Sequence, residues 1–424
     1  MKVRLTSIGC LLTGDGPLRG PLGSWEQLGL RTGCDAIVER GDTPGDPWRL
    51  LWLGAPDDTI APAHDVEIDL GGRLLLPGLI DSHTHAVFAG DRSGEFSRRM
   101  AGASYAEIAA EGGGILTTVK RTREATVDEL VTSAATRLLQ MAAHGVRVVE
   151  IKTGYGLDTA SECKLLQATA ALTEAFNGTI QIVATAMPAH AVPPEYKQSP
   201  ARYVDLVCEE ILPAMAAAGA PCSFVDVFVE RGYFDVQAAD RIWRTARALG
   251  WQLKAHVDEF ADIGGVRWAV AAGATSVEHL LATTPQSVAL LANSDTVGVC
   301  LPLTSLFLRE GYAPMRALVD QGALVAIATD CNPGSAMSTN LALAMQVAML
   351  NGRLSPMECM RGVTTVAAKA LGNPGGYDGR LAVGQPFVAS LLDTAHPDDL
   401  FYELGAPPRA VPLELPSSQL DLAF

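Results

Sequence analysis

Several things are scarce or missing in this chain of 424 residues, and each absence excludes something. Lys and Arg total 32 against 47 Asp and Glu, a formal net charge of -15. No basic stripe stands out, so the electrostatic footprint of a nucleic-acid binder is missing. Polyanion and anionic-membrane partners are disfavoured for the same reason, and the excess acid serves to solvate the surface. No window approaches the roughly 20 apolar residues needed to cross a bilayer. The N-terminal MKVRLTSIGCLLTG has no sustained apolar stretch and no small-residue cleavage site. It reads as a first strand, and the cytoplasm is the expected location. The 8 cysteines include no CxxC pair, and a chain of this length folds on its core without disulfides. No GxGxxG follows a first strand, which removes the commonest dinucleotide-binding reading. The Gly112-Gly113-Gly114 run follows a helical stretch and reads as a loop hinge.

What is present is the composition of a globular protein, 48% hydrophobic and 19% charged. The length exceeds the roughly 100–200 residues of one compact domain, and a large barrel with a small companion would account for it. Residues 1–75 are rich in Gly, Pro and Asp, with short apolar runs such as WRLLWLG and VEIDL. Near the other end, GRLAVGQPFVASLLD reads as two strands around a Gly turn. Residues 1–75 and 376–424 are therefore expected to join in one small β domain, with 76–375 as a second domain between them.

In that central region apolar β-rich runs alternate with helical patterns. The strands read are LLLPGLIDSH, VRVVEIKTG, IQIVATAMPA, FVDVFVE, WQLKAHV, ATSVEHL, TVGVCLP and LVAIATD. Helical patterns such as VDELVTSAATRLLQMAAHG and DVQAADRIWRTARALG lie between them, the second stopping at Gly250. Continuous apolar strands alternating with helices give a parallel sheet buried on both faces. Eight such units predict an α/β fold of the closed (β/α)8 TIM-barrel type.

Polar residues gather at the C-terminal ends of these strands, where this architecture places its chemistry. Strand 1 ends in Asp81-Ser82-His83-Thr84-His85, and residues two apart in a strand share a face, so His83 and His85 reach one point together. Strand 5 ends at His256, followed by Asp258 and Glu259; strand 6 ends at His279 and strand 8 at Asp330. His190 ends strand 3. One histidine at a strand end is ordinarily structural, but this joint order points to a metal site. His64, His144 and His396 fall in loops or helices and read as surface residues.

The HxH–His–His–Asp order resembles the amidohydrolase superfamily over nearly the whole chain, and that superfamily also carries a small β-sandwich built from both chain ends. Longer motifs resemble its imidazolonepropionase family: HTHAVFAGDRSGEF, GASYAEIAAEGGGI, EIKTGYGLD, AHAVPPEY, HVDEF and TDCNPGSA. The match departs where FVASLLD replaces an Ala-Asp-Leu stretch, and where Glu278 precedes His279 in place of Asp, which touches a supporting partner at most. The resemblance implies a hydrolase that opens the cyclic amide of 4-imidazolone-5-propionate to N-formimidoyl-L-glutamate in histidine degradation, by attack of a metal-bound hydroxide. It implies His83, His85, His256 and Asp330 as ligands of a divalent ion; three nitrogens and one oxygen suit Zn2+ and also Fe2+. Some superfamily members hold two ions through a modified lysine on strand 4. Here strand 4 has no lysine, and Lys152 lies on strand 2. One ion per chain is expected, with Lys152 as a barrel-rim ion pair.

Glu259, His279 and Asp330 are the catalytic candidates for proton transfer and carbonyl polarisation. Arg92 matches the family's carboxylate-binding position, and its planar fork suits a propionate. Tyr155, in a Gly-flanked turn, and His190 are expected at the substrate. So are Glu259, Asn332, Gly334 and Ser335, with Gly334 offering its backbone N–H closely and Ser335 alternatively capping the next helix. Tyr105 is a weaker candidate. The expected partners are a small-molecule substrate and a second copy in a homodimer. Another enzyme of the superfamily, such as a nucleobase-type deaminase, is the alternative; a deaminase of an uncharged base has no carboxylate for Arg92 to hold. A non-catalytic barrel would lack ligands that are all present here.

Overall fold

Short alternating runs near both chain ends build two sheets. The computed structural model describes residues 1–416 apart from 42, 44, 45, 104–106 and 108–112, so Tyr105 and Gly112 lie outside the described residues. The N-terminal strands are β1 (Lys2–Thr6), β2 (Cys10–Leu12), β3 (Leu30–Arg31), β4 (Asp35–Glu39), β5 (Arg49–Gly54), β6 (Val66–Asp69) and β7 (Leu74–Pro77). The central strands are β8 (Leu79–Asp81), β9 (Val146–Lys152), β10 (Gln181–Ala189), β11 (Phe224–Val229), β12 (Gln252–Val257), β13 (Ser276–His279), β14 (Val297–Cys300) and β15 (Leu324–Ile327). β16 (Ala389–Leu392) and β17 (Ala410–Val411) follow. One sheet runs β5-β4-β1-β6 and another β17-β16-β7-β2-β3, so the second combines both ends of the chain. Val3, Leu5 and Val38 of the first share an apolar core with Leu11, Leu75 and Leu391 of the second, which is face-to-face sheet packing.

The third sheet holds β8 to β15 in sequence order, with every neighbouring pair parallel. It is the expected (β/α)8 barrel. Its seam is closed at the strand ends: Thr84 bridges Cys331, the Asp330 N–H donates to the His83 carbonyl (3.1 Å) and the His85 N–H to the Cys331 carbonyl (3.0 Å). Beside them Asp81 accepts the Thr329 N–H at 3.0 Å and its hydroxyl at 2.6 Å. Helices cover the outside. A capping box at Thr126 and Glu129 starts helix Val127–Ala143, which buries Leu130, Ala134, Leu138 and Met141. Asp235 caps helix Val236–Ala248 by accepting from the Ala238 N–H. That helix ends where Gly250 turns to φ 85°.

Inside the barrel the period-two alternation carries polarity upward in layers. Val148, Val183 and Phe224 lie in an apolar bottom layer. Two residues on, Glu150, Thr185 and Asp226 are buried, as are Lys254 and Glu278 on the neighbouring strands. Above them come Lys152, His256 and the residues following β8.

Four local expectations are corrected. The run LLLPGLIDSH is two strands. Leu74–Pro77 pairs with β16 and β2 in the small sheet, and only Leu79–Asp81 enters the barrel. A Cβ at Gly78 between them would crowd Arg147 and Val388, so the crossing from one sheet to the other passes through a glycine. In GRLAVGQPFVASLLD only Ala389–Leu392 is a strand; Gly379 and Gly384 take φ of 79° and 86°, which interrupts the first half. Lys152 is not at the rim: its side chain is fully buried inside the barrel. Of the histidines read as surface residues, His144 is half-buried, and burial together with Arg409 lowers its pKa. Among the described residues no helix is long and apolar enough to cross a membrane.

Candidate metal centre and active site

The HxH pair leaves β8 with both rings inside the barrel mouth. His83 and His85 have ring centroids 5.4 Å apart, and His256 at the end of β12 lies 4.6 Å from His83 and 5.6 Å from His85. Asp330, just beyond β15, brings Oδ1 to 3.3 Å from His83 Nε2 and 3.9 Å from His85 Nε2. Metal-ligating atoms of His83, His85 and Asp330 fall within 4.8 Å of one another, as do those of His83, His256 and His279. His83 joins the two groups. The ends of β8, β12 and β15 thus bring His83, His85, His256 and Asp330 close together, with His279 of β13 beside them.

Tautomers follow from the hydrogen bonds behind the rings. His83 Nδ1–H donates to Glu278. His256 Nδ1–H donates to Asp226 Oδ1 at 2.9 Å, and the His256 backbone N–H reaches the same oxygen at 3.1 Å. Both Nε2 lone pairs are therefore turned inward. His83 Nε2 is buried and has no hydrogen-bond partner. A buried nitrogen left without a donor, beside further imidazoles and a carboxylate, is what a divalent cation satisfies, so the residues fit the ion the superfamily implies. Burial opposes charge on His83, but the Glu278 carboxylate raises its pKa to about 9, so a cation binding at Nε2 would displace a proton from it. Burial also opposes charge on Asp330, but His83 draws it down to about 2. Its other oxygen accepts from the Thr304 hydroxyl at 2.6 Å.

Glu259 and His279 face each other, with His279 Nε2 3.6 Å from Glu259 Oε2. Burial, then the nearby Asp330 and Glu230 carboxylates, push Glu259 up to about 8. Burial, then His256, holds His279 well below its ordinary value. The backbone here is strained. Asp258, His279, Leu280 and Asp330 all take left-handed φ, of 53°, 76°, 66° and 54°. Each such non-glycine residue costs on the order of 1–3 kcal/mol, and such strain collects at functional sites.

The recognition candidates line the same mouth. His190 stacks on His85 at 4.8 Å and donates Nδ1–H to the Gly154 carbonyl at 3.1 Å. Burial, then His256, lowers it to about 3, so the ring is neutral and its Nε2 is an acceptor. Tyr155 is buried beside His85 and His190. Burial raises its pKa, with Asp330 adding to the effect and Arg92 opposing it. Arg92 gives Nε to Glu95 Oε2 at 2.8 Å. Glu95 also accepts from the Gly114 N–H and the Thr117 hydroxyl, which fixes the guanidinium from behind.

The loop after Asp330 differs in detail from expectation. Asn332 spends its side chain on the loop itself, donating to the Asp330 carbonyl at 2.7 Å and accepting from the N–H groups of Gly334 and Ser335 at 2.8 Å each. The Gly334 N–H is thus turned to Asn332. The reason for glycine there is another one: a Cβ would overlap Arg92 Nη1. Ser335 does not cap the next helix, since Asn340 caps Leu341–Gly352; the Ser335 hydroxyl contacts Asn332 and Asp330.

Glu150, Asp226, Lys254 and Thr304 were not singled out from sequence, and Glu278 was noted only as a departure from the family pattern before His279. For all but Thr304 the signal was present: E150-x-K152, D226 within FVDVF, K254-x-H256 and S276-x-E278 are polar residues at period two inside otherwise apolar strands.

This fold and site define a class. Residues 74–411 match the amidohydrolase family, and the chain belongs to that family of hydrolases. The imidazolonepropionase of Herpetosiphon aurantiacus is 42% identical over 415 residues, covering 96% of this chain and 94% of that one. That of Chloroflexus aggregans is 48% identical over 408 residues, covering 92% and 91%. Among solved structures, a triazine hydrolase variant superposes with a TM-score of 0.73 at 18% identity, covering 97% of this chain and 93% of that one. That likeness shows the shared fold alone.

Proposed function

We propose that the chain is an imidazolonepropionase, opening the lactam ring of 4-imidazolone-5-propionate with water to give N-formimidoyl-L-glutamate. The observation that carries the chemistry is the convergence of His83, His85, His256 and Asp330 beside Glu259 and His279. Relatives at 42% and 48% identity over nearly the whole chain carry the substrate. His83, His85, His256 and Asp330 would hold one divalent ion, Zn2+ or Fe2+ by donor set. When bound, such an ion polarises a carbonyl and lowers the pKa of water toward roughly 7.

The chain's own groups do the rest. Asp330 takes a proton from the attacking water. His279, kept neutral by burial, donates a ring N–H toward the carbonyl oxygen. Glu259, protonated up to about 8, gives its proton to the departing ring nitrogen as the C–N bond breaks. The carbonyl carbon becomes a carboxylic acid, whose remaining proton passes back to Glu259 to leave the carboxylate, and the ring nitrogen leaves as part of the formimidoyl group. Arg92 holds the propionate, with Tyr155 and His190 packing on the ring side of the mouth. Eight unpaired cysteines fit a cytoplasmic location.

The test is a hydrolysis assay on 4-imidazolone-5-propionate with metal-loaded protein, with ion content measured on the same sample. Loss of the substrate's absorbance with formation of N-formimidoyl-L-glutamate, at one ion per chain, is expected. Full loading without turnover, or turnover of cytosine in its place, would overturn the substrate. Two ions per chain, both required for turnover, would overturn the mononuclear reading.

A further inference from the structure

Beneath the metal centre lie two lysines and three carboxylates, all fully buried, and the mechanism above makes no use of the lysines. Lys152 Nζ sits 2.7 Å from Asp226 Oδ2, 2.9 Å from Glu150 Oε2 and 3.1 Å from Glu278 Oε2. Lys254 Nζ sits 2.7 Å from Glu150 Oε1, 3.3 Å from Glu278 Oε1 and 3.3 Å from the Ser82 carbonyl. Glu150 also accepts from the Thr185 hydroxyl, and Glu278 from the Ser276 hydroxyl.

We propose that Lys152 is a positioning residue of the metal centre: its ammonium ties together the two carboxylates that aim the His83 and His256 rings, and so sets both ligands at once. Asp226 turns one oxygen to the His256 ring and the other to Lys152. Glu278 presents the same oxygen, Oε2, to His83 and to Lys152. A three-donor ammonium on β9 thereby connects ligands carried by β8 and β12, with the supporting carboxylates on β11 and β13. Lys254 is the internal comparison. It is equally buried and also ion-paired, but among the described contacts its carboxylates are Glu150 and Glu278 and not Asp226. If the lysines only neutralised buried acid, the two would be interchangeable. If Lys152 aims both rings, they are not.

The inference rests on the ligand assignment proposed above and deepens it. Lys152→Met alone leaves buried carboxylate charge uncompensated, which threatens folding. The test therefore uses charge-balanced pairs, Lys152→Met with Glu150→Gln and Lys254→Met with Glu150→Gln, each removing one cation and one anion. Zn2+ dissociation constants are measured by chelator competition, visible spectra are recorded on Co2+-loaded protein, and thermal unfolding is followed for both. The Lys152 pair is expected to bind Zn2+ about 10- to 100-fold more weakly, the usual cost of losing support behind metal-bound histidine, with a displaced Co2+ band. The Lys254 pair is expected to stay within a few-fold of wild type at a similar unfolding temperature. Lys152→Arg, which keeps the cation, is expected to lie nearer to wild type. Wild-type affinity in the Lys152 pair, or equal loss in both pairs, would overturn the proposal. Either result beside a metal-free His256→Ala protein leaves the ligand assignment standing; a fully loaded His256→Ala protein would remove the assignment itself.

Discussion

Replacing His256 or Asp330 with alanine is expected to strip most of the metal from the protein and to lower kcat/KM by at least about a thousandfold, since on the proposed ligand set the ion would supply both nucleophile activation and carbonyl polarisation. The barrel should survive, because both side chains sit above the apolar layers that hold it, at the ends of β12 and β15. The two variants differ in what they leave behind. His256→Ala orphans Asp226, which still has Lys152 at 2.7 Å. Asp330→Ala also removes the acceptor of the Thr304 hydroxyl. Elemental analysis and circular dichroism on the purified variants decide the matter. Full occupancy in both would sink the ligand assignment, and loss of the fold would show these residues to be structural.

Arg92→Ala is expected to lose a charge-assisted contact of roughly 2–4 kcal/mol, or about 30- to 1000-fold in kcat/KM, with metal content unchanged. Part of the loss should appear in kcat, because a remote carboxylate held by the protein orients the ring for attack. Lysine should rescue only in part, since a point charge does not reproduce the planar fork. A substrate analogue without the carboxylate should be poor for wild type and about equally poor for the variant. If the variant harms the analogue as much as the full substrate, Arg92 is structural and the substrate assignment loses its physical support. Gly334→Ala offers an independent approach to the same group, because the new methyl overlaps Arg92 Nη1. It should mimic the Arg92 defect, up to about a hundredfold, without touching the metal.

How far the sequence could be read follows from what each inference required. The barrel strands needed only local pattern: apolar runs of strand length between amphipathic helices. HxH on one strand, His on two others and a carboxylate on the last needed only the rule that strand ends meet at one rim. The run around Pro77 and Gly78 misled because it is apolar throughout, and nothing in an apolar run says which of two sheets each half will join. Lys152 misled for another reason. An ion pair was expected of it, but at the rim; Glu150 lies two residues away on the same strand, whereas Asp226 and Glu278 lie on β11 and β13, which face Lys152 across the barrel interior only once the cylinder exists. The left-handed backbone at His279, Leu280 and Asp330 carries no residue signature, since none of the three is glycine. The glycine at 334 was legible as special, but for the wrong partner.

The seam of the barrel gives the order in which the protein can be completed. Asp81 and Thr329, which clasp it, stand 248 residues apart in the chain, and the same joint brings His83 and Asp330 together. A ribosome that has delivered the HxH strand has delivered only half a chelator. If Asp330 is the fourth donor, it emerges after nearly the whole cylinder, and high-affinity capture of an ion would then be coupled to ring closure at the end of synthesis. On the proposed ligand set, a bound ion would be held by residues just beyond β8 and β15, the first and last strands of the barrel, and so would fasten the joint between them. Withdrawal of the ion should therefore loosen that joint before any other part of the wall.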